Sequence, residues 1–180
     1  MEKRRDQDPK PATPEVVVRG LLDFETFYRA EFRKVLGLVG VLSGSRWAEE
    51  MTQDAFLAAY RNWEEVGRMD RRDAWVRVAA MNLARSTFRR RRAEARALLR
   101  LGEPVTVLPD LEPPYAEFWE QVRRLPARQA QVIALHYLED RPVAEIAETL
   151  GTAPGTIKAQ LHTARIALAA RLGAAIGEQT

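Results

Sequence analysis

The chain of 180 residues is 46% hydrophobic and 29% charged, a composition typical of one soluble globular domain or two small ones. It contains no cysteine, which excludes disulfide scaffolds, cysteine-ligated zinc sites and thiol catalysis. Its longest apolar run, Leu36–Leu42, is far too short to span a bilayer, and the charged segment Met1–Pro14 does not resemble a signal peptide. We therefore expect a cytoplasmic protein without membrane insertion.

The formal net charge is only +3, but the charges are strongly segregated along the chain. Arg71–Arg100 carries a net +8, whereas Trp47–Asp70 carries −4 and Leu101–Glu120 carries −5. Glu117–Thr180 is neutral. Blocks of opposite charge usually indicate separate surfaces for separate partners. Because 24 of the 28 basic residues are Arg, the basic block favours phosphate or base recognition.

Helical periodicity dominates the N-terminal half, where no alternating strand pattern competes with it. It predicts helices over Phe24–Leu42, Trp47–Val66 and from about Asp73 through Arg92, with a polar loop at Gly67–Arg72. Residues 1–23 are predicted to be a flexible tail. The N-terminal half is therefore predicted to be a helical bundle spanning residues 24–100.

A Pro-rich acidic linker is predicted over residues 101–114, because Gly102 and four prolines interrupt any helical period there. Four shorter helices follow within a second domain, 115–173, before a short tail at 174–180. They are predicted at Tyr115–Leu125, Ala127–Leu138, Val143–Leu150 and about Ala153–Leu172. The predicted fold class is all-α, with two helical domains joined by an extended linker.

A helix-turn-helix pattern runs from Val143 to Lys158. Gly151 is predicted to end the first helix and Thr152 to cap the next one. The second helix has an apolar stripe facing the core, as a DNA recognition helix requires. Its outward polar residues are Thr156, Lys158, Gln160, His162, Thr163 and Arg165. An ordinary αα-hairpin of a helical domain is the alternative interpretation.

Two further surfaces carry candidate binding residues. The basic helix suits contact with a nucleic-acid backbone, and Asn82 could bond a base edge or simply lie on the helix surface. The acidic face formed by Glu49, Glu50, Gln53 and Asp54 suits a basic protein partner, or is a solvated surface. His136 and His162 lack the converging groups of a metal or acid–base site, so we predict no metal, no cofactor and no enzymatic activity.

The chain resembles a bacterial RNA polymerase sigma factor of the extracytoplasmic-function (group four) type over about Phe24–Leu172. Three stretches carry the resemblance. The first combines FETFY at Phe24–Tyr28 with AEEMTQDAFLAAY at Ala48–Tyr60, which are similar to the start of sigma region two. The second, WVRVAAMNLARSTFRR at Trp75–Arg90, is similar to the part that melts and reads the minus-ten element. The third, Leu125–Arg165, is similar to region four.

The resemblance implies a role for each surface. Glu49, Glu50, Gln53 and Asp54 would dock on the clamp of core RNA polymerase, and the α-helix at Thr156–Arg165 would enter the minus-thirty-five major groove. The acidic linker, including Asp110 and Glu112, would lie in polymerase channels otherwise used by nucleic acid. Family members are often held inactive by an anti-sigma factor, so such a partner is expected. The residues implied to bind minus-ten DNA are Arg71, Arg72, Arg77, Asn82, Arg85, Arg89 and Arg90.

The sequence departs from the family pattern at three positions. Gln160 and Thr163 stand where the recognition helix commonly carries Arg, and Glu50 stands where Asp is usual. The first two changes predict altered minus-thirty-five readout. Two other functions remain as alternatives: a helix-turn-helix transcription regulator, and a polymerase-binding module without initiation activity.

Overall fold

A computed structural model describes residues 14–44, 47–100 and 115–177, and every regular element in these ranges is an α-helix. The predicted linker 101–114, with Asp110 and Glu112, lies outside the described residues, as do the side chains of Arg89 and Arg90. The all-α prediction is confirmed. The helices are α1 (Pro14–Ser43), α2 (Ala48–Arg61), α3 (Trp63–Val66), α4 (Arg72–Arg100), α5 (Ala116–Arg123), α6 (Ala127–Tyr137), α7 (Val143–Thr149) and α8 (Pro154–Gly177).

Helix α1 begins at Pro14, so the prediction that the first helix starts at Phe24 is wrong. Proline suits the first turn of a helix because its missing N–H would have no intrahelical partner there. Once the packed segment from Phe24 onward is helical, each added residue gains a hydrogen bond without a new nucleation cost. The residues before Phe24, which lack a clear apolar helical periodicity, can therefore extend the helix.

The predicted helix over Trp47–Val66 is divided into α2 and α3 at Asn62. The Asn62 side-chain amide donates a hydrogen bond of 2.8 Å to the Ala58 carbonyl, where it competes with the backbone ladder. Hydrogen bonding of this kind between a side chain and the nearby backbone is the reason that Asn is disfavoured in helix interiors. The break turns Trp63 back toward α1, where its ring centroid lies 5.0 Å from that of Phe24.

The N-terminal core lies between α1, α2 and α4. Val35, Val39, Ala55, Val76 and Ala80 at its centre are fully buried. Aromatic side chains extend this core at the end nearest the turn after α3. These are Phe24, Phe27, Tyr28, Phe32, Phe56 and Trp63, joined by ring contacts of 4.8–6.2 Å.

The turn between α7 and α8 confirms the predicted stop at Gly151, whose φ is +60°. The Gly151 N–H donates to the Glu148 carbonyl at 3.2 Å, and the Thr152 N–H donates to the Ala147 carbonyl at 2.9 Å. This pair of bonds is the Schellman arrangement, which favours glycine because it requires a left-handed residue. The prediction that Thr152 caps the next helix is wrong, because α8 begins only at Pro154.

The two predicted domains are packed against each other. The C-terminal core contains residues of α5–α8 together with Leu38 and Val41 of α1 and Met81 of α4. Leu38 and Met81 are at most 1% exposed, so the covering helices exclude water from this contact. Burial of apolar side chains is the dominant favourable term in such an association.

Candidate nucleic-acid interface

Helix α8 separates a buried apolar stripe from an exposed polar face. Its buried residues Ile157, Leu161, Ala164 and Leu168 are at most 4% exposed. Five of the six predicted recognition residues are exposed, and Gln160 is half-buried. Helix α7 packs across α8. This is the arrangement of a helix-turn-helix in which α8 can enter a major groove while α7 crosses above it.

Arg165 differs from the other recognition residues because neighbouring aromatic side chains orient it. Its Nε donates to the Tyr137 hydroxyl at 2.8 Å, and its guanidinium lies 5.6 Å from the Tyr137 ring centroid. Its Nη2 also lies 3.3 Å from His136 Nε2. The sequence did not assign Tyr137 or His136 to this surface. Their contacts with Arg165 restrict the guanidinium before any ligand binds.

Arg77 is buried in this packing of the two domains, with only 1% of it exposed, so the DNA contact that the sequence predicted for it is not accessible here. Its Nε donates to both Glu139 carboxylate oxygens at 3.0 and 2.7 Å, and its Nη1 donates to the Asp73 carbonyl at 3.0 Å. Its Nη2 lies 2.7 Å from Glu31 Oε2. Arg77 shares the inward face of α4 with Ala74, Met81 and Ala84, and this register is the sequence signal that should have predicted its burial.

Arg141 completes this group of charges. Its Nη2 donates to Asp73 Oδ2 at 3.0 Å and its Nε donates to Glu139 Oε2 at 2.9 Å. We call Glu31, Asp73, Arg77, Glu139 and Arg141 the interdomain ion cluster. Burial would raise the pKa of Asp73, but the Arg141 hydrogen bond and the Arg77 and Arg141 charges hold that pKa below its usual value. The Arg141 pKa is raised, because its bonds to Glu139 and Asp73 outweigh desolvation.

The two predicted loop arginines have different surroundings. Arg71 is half-buried and its Nη1 forms an ion pair with the Glu148 carboxylate of α7. The Arg72 guanidinium lies 5.6 Å from the Phe27 ring centroid and 5.8 Å from that of Trp63. Arg72 is therefore held by cation–π contacts that anchor the start of α4 on the aromatic core.

Asn82 and Arg85 are exposed and lie three residues apart on α4, so they occupy the same helix face. Arg85 also borders a cleft of about 300 Å³ between the two halves, which Arg123 and Arg124 line from the other side. Leu42 and other apolar side chains also line this cleft. The structure thus brings Asn82 and Arg85 together on one surface, whereas it withdraws Arg77 from it.

The acidic face of α2 is exposed as predicted: Glu49, Glu50, Gln53 and Asp54 all lie on it. Gln53 Nε2 donates to Glu49 Oε1 at 3.3 Å. Leu57, one turn after Gln53, is 44% exposed and adds an apolar contact that the sequence did not single out. A mixed polar and apolar helix face of this kind suits a protein partner.

Within the described ranges, no three His, Asp or Glu side chains are grouped as a metal site would require. No described helix is long and apolar enough to cross a membrane.

Two domain families match the chain: Sigma-70 region 2 over residues 27–94, and Sigma-70, region 4 over residues 115–168. The chain is 27% identical over 118 residues to the RNA polymerase sigma-E factor of Streptomyces coelicolor, covering 65% of this chain and 67% of that protein. It is 27% identical over 140 residues to the ECF RNA polymerase sigma factor SigW of Bacillus subtilis, covering 69% and 75%.

Among solved structures, the chain is similar to the sigma factor RpoE in its co-crystal structure with the anti-sigma factor NepR from Bartonella quintana. The TM-score is 0.64 at 24% identity, covering 84% of this chain and 97% of that one. This likeness shows the fold.

A region 2 helical bundle followed by a region 4 helix-turn-helix defines a sigma factor, the subunit that directs RNA polymerase to promoters. The chain belongs to the extracytoplasmic-function sigma factors. Sigma factor domains bind core RNA polymerase and promoter DNA. Sigma factors, as a family, are non-enzymatic transcription initiation factors.

Proposed function

We propose that this sigma factor reads duplex minus-thirty-five DNA with the exposed face of α8 and captures melted minus-ten DNA with the Gly67–Arg72 turn and the exposed face of α4. The separation of polar and apolar faces on α8 is the observation that carries the proposal. Lys158 and His162 project on the exposed side, while Ile157 and Leu161 are at most 4% exposed. The positive end of the α8 dipole also favours approach to phosphate.

The minus-ten surface that is accessible in this packing of the domains is smaller than the sequence predicted, because Arg77 is buried in it. It comprises the exposed Asn82 and Arg85, with the half-buried Arg71 at the start of α4. Melting would be driven by the binding energy of the captured single strand, because a ligand shifts an equilibrium by its differential affinity for the two states. We also propose that no nucleotide hydrolysis by this chain is involved.

The proposed polymerase contact is the α2 face that contains Gln53, Asp54 and Leu57. Its carboxylates give specificity toward a basic partner, and the exposed Leu57 gives apolar contact area. Core RNA polymerase, promoter DNA and an anti-sigma factor are the proposed partners.

Footprinting of the reconstituted complex tests this proposal. Core polymerase with this chain should select fragments from a genomic library, protect two separate DNA segments and make the downstream one reactive to permanganate, which oxidises unpaired thymines. The double variant Lys158→Ala, His162→Ala should lose protection of the upstream segment only. Loss of both segments, or of neither, would show that α8 does not read that element.

The alternative functions predict other results. A transcription regulator would protect DNA without core polymerase and without permanganate-reactive bases. A sequestering module would bind core polymerase and protect no segment.

A further inference from the structure

Two side chains at the end of α6 contact an arginine on the outward side of α8. His136 and Tyr137 are the last two residues of α6, and Arg165 belongs to α8. Arg165 Nε donates to the Tyr137 hydroxyl at 2.8 Å, and Arg165 Nη2 lies 3.3 Å from His136 Nε2. One guanidinium therefore meets two polar groups presented by a neighbouring helix of the same domain.

The hydrogen position on His136 follows from its second ring nitrogen. His136 Nδ1 lies 3.1 Å from the Arg141 carbonyl oxygen. Because a carbonyl oxygen only accepts, Nδ1 must carry the hydrogen, and Nε2 of the neutral ring is then an acceptor. The Arg141 N–H in turn donates to the Leu135 carbonyl at 3.1 Å, which fixes this part of the turn after α6. His136 Nε2 is thus oriented to accept a hydrogen bond from Arg165 Nη2.

Ring contacts restrain the Tyr137 side chain, although 51% of the residue is exposed. The Tyr137 ring centroid lies 4.9 Å from that of His136 and 6.5 Å from that of Phe118 on α5, and both contacts are edge-to-face. Such geometry is favourable between aromatic rings. The Arg165 guanidinium lies 5.6 Å from the Tyr137 ring centroid, which adds a cation–π contact. The Tyr137 hydroxyl is therefore presented to Arg165 from a fixed ring.

These contacts occupy one edge of the Arg165 guanidinium and leave another edge available. The planar group has five N–H donors, and Nε and Nη2 share one of its edges. Tyr137 and His136 take that edge. Within the described ranges, no hydrogen bond uses the adjoining edge, where Nη1 and Nη2 each direct one N–H outward. Two parallel N–H donors of this kind match two oxygens of one phosphate.

Arg165 lies at the border of the exposed face of α8. Lys158, His162 and Arg165 are all exposed and follow one another at spacings of four and three residues, which places them in one row along the helix. Leu161 of the buried stripe lies three residues after Lys158 and four before Arg165, so the row borders that stripe. Recognition helices contact base edges with their N-terminal residues, whereas Arg165 lies about three turns after Pro154. Its place on α8 therefore favours the wall of the groove, where the phosphates lie.

We propose that His136 and Tyr137 are positioning residues, which aim the free edge of the Arg165 guanidinium at a DNA phosphate beside the upstream element. The inference rests on the proposed function of α8. A phosphate contact carries no sequence information, but it fixes the orientation of the helix in the groove. Restraining the guanidinium in advance reduces the side-chain entropy that is lost when the phosphate binds. Two residues of α6 thus control, through Arg165, how α8 engages DNA.

A double-mutant cycle measures whether Tyr137 acts through Arg165. Core polymerase reconstituted with each variant is titrated onto a promoter fragment from the genomic selection, and half-maximal protection of the upstream segment gives the affinity. Tyr137→Phe keeps the ring and removes the hydroxyl, so it should weaken this affinity about fivefold. In an Arg165→Ala background the same substitution should change the affinity by less than about 1.5-fold, because the partner of the hydroxyl is gone.

The matched control is Tyr115→Phe, which removes a hydroxyl from a residue that is 81% exposed and should leave the affinity unchanged in both backgrounds. A weakening by Tyr137→Phe that is equal with and without Arg165 would show a purely structural role and overturn the inference. An affinity that Tyr137→Phe does not change would also overturn it.

His136 is tested by removing its acceptor. His136→Leu lacks both ring nitrogens and should weaken upstream affinity about fivefold, again only while Arg165 is present. His136→Gln retains a side-chain acceptor and a donor, so it should weaken the affinity by no more than about twofold. Equal losses in the two variants would overturn the positioning role of His136.

Salt dependence identifies the group that Arg165 contacts. Arg165→Ala should reduce the slope of log affinity against log salt by about one, because one phosphate contact is lost. Weaker binding with an unaltered slope would indicate a base edge and overturn the phosphate contact. Lys158→Ala is measured alongside. An effect of Lys158→Ala without one of Tyr137→Phe overturns only the positioning inference, whereas no effect of any α8 substitution overturns the proposed function of α8.

Discussion

At the scale of single residues, Arg77 shows how one buried charge changes the interpretation of a basic sequence block. The ten arginines of residues 71–100 suggested a continuous nucleic-acid surface. The structure places Arg77 among three carboxylates, because its position on α4 faces inward with Met81 and Ala84. Local composition could not predict this, since the partner Glu139 lies 62 residues away along the chain.

Arg77→Ala should lower the free energy of unfolding by about 3 kcal/mol, because it removes the buried counter-charge that the Glu31 and Glu139 carboxylates share. Urea denaturation followed by circular dichroism measures this loss. The control is Arg68→Ala, which removes an exposed pair with Glu64 and should change stability by less than about 0.5 kcal/mol. Equal effects of the two substitutions would contradict the structural role of Arg77.

The departure from the family pattern at Gln160 can be tested by restoring the Arg that is common at this position. Gln160→Arg adds a cation beside the exposed face of α8, so the variant should bind its upstream promoter duplex about tenfold more tightly. Fluorescence anisotropy at fixed salt measures the affinity. Glu25→Gln, on an exposed part of α1, raises the net charge by the same one unit and is the control. An affinity unaltered by Gln160→Arg would show that position 160 does not face DNA.

At the scale of elements, periodicity predicted the existence and the order of the helices, and it failed at their ends. The stripe of α8 and the stop at Gly151 followed from spacing and glycine chemistry. The start of α1 at Pro14 and the break at Asn62 did not, because cooperative helix extension and one side-chain hydrogen bond decide them. The exposed faces of α2 and α8 were correctly separated from their buried faces.

Helix α8 should give a measurable electrostatic signature. Lys158→Ala should weaken promoter binding and reduce the slope of log affinity against log salt by about one, because one phosphate contact is lost. Titrations at several salt concentrations give the slope. The variant Arg29→Ala, on α1, provides the comparison and should leave the slope unchanged. An unaltered slope for Lys158→Ala would contradict the assignment of α8 as the reader.

Helix α2 is tested by its polymerase affinity. Gln53→Ala with Asp54→Ala should weaken binding to core polymerase by at least about tenfold, because both side chains lie on the exposed face that is proposed to contact it. Biolayer interferometry measures the affinity, and circular dichroism should show an unchanged fold. The matched control is Glu25→Ala on α1. If core affinity survives the double substitution, α2 is not the docking helix.

At the scale of the whole molecule, the packing of the two domains was not predictable from either domain's own pattern. Each half has a recognisable apolar core, but Leu38, Val41 and Met81 also serve the contact between them. Sequence periodicity assigns a residue to an inward face and does not specify which element covers it. The partners of Arg71 and Arg77 from the other domain, Glu148 and Glu139, lie in the C-terminal block that carries no net charge, so the charge pattern did not indicate them.

Acid should destabilise the folded chain through Asp73, which faces Arg71, Arg77 and Arg141. Because its pKa is lowered in the folded chain, its contribution is complete above the unfolded pKa of about 3.9 and is lost as pH falls through the lower folded value. Urea unfolding between pH 6 and pH 3 should therefore show a smaller loss of stability in Asp73→Asn than in the unaltered chain. Identical losses would exclude Asp73 as a contributor.

Run-off transcription tests the central claim most directly: that this sigma factor directs initiation at promoters. With core polymerase held below saturation and genomic promoter fragments as templates, the unaltered chain should give promoter-specific transcripts. The double variant Lys158→Ala, His162→Ala should lower their yield, because both side chains lie on the exposed face of α8 that is proposed to read the upstream element, while Glu64→Gln should leave it unchanged. Absence of specific transcripts from any template would contradict the promoter-directing function, and a yield unchanged by the double substitution would contradict the assignment of α8 as the upstream reader.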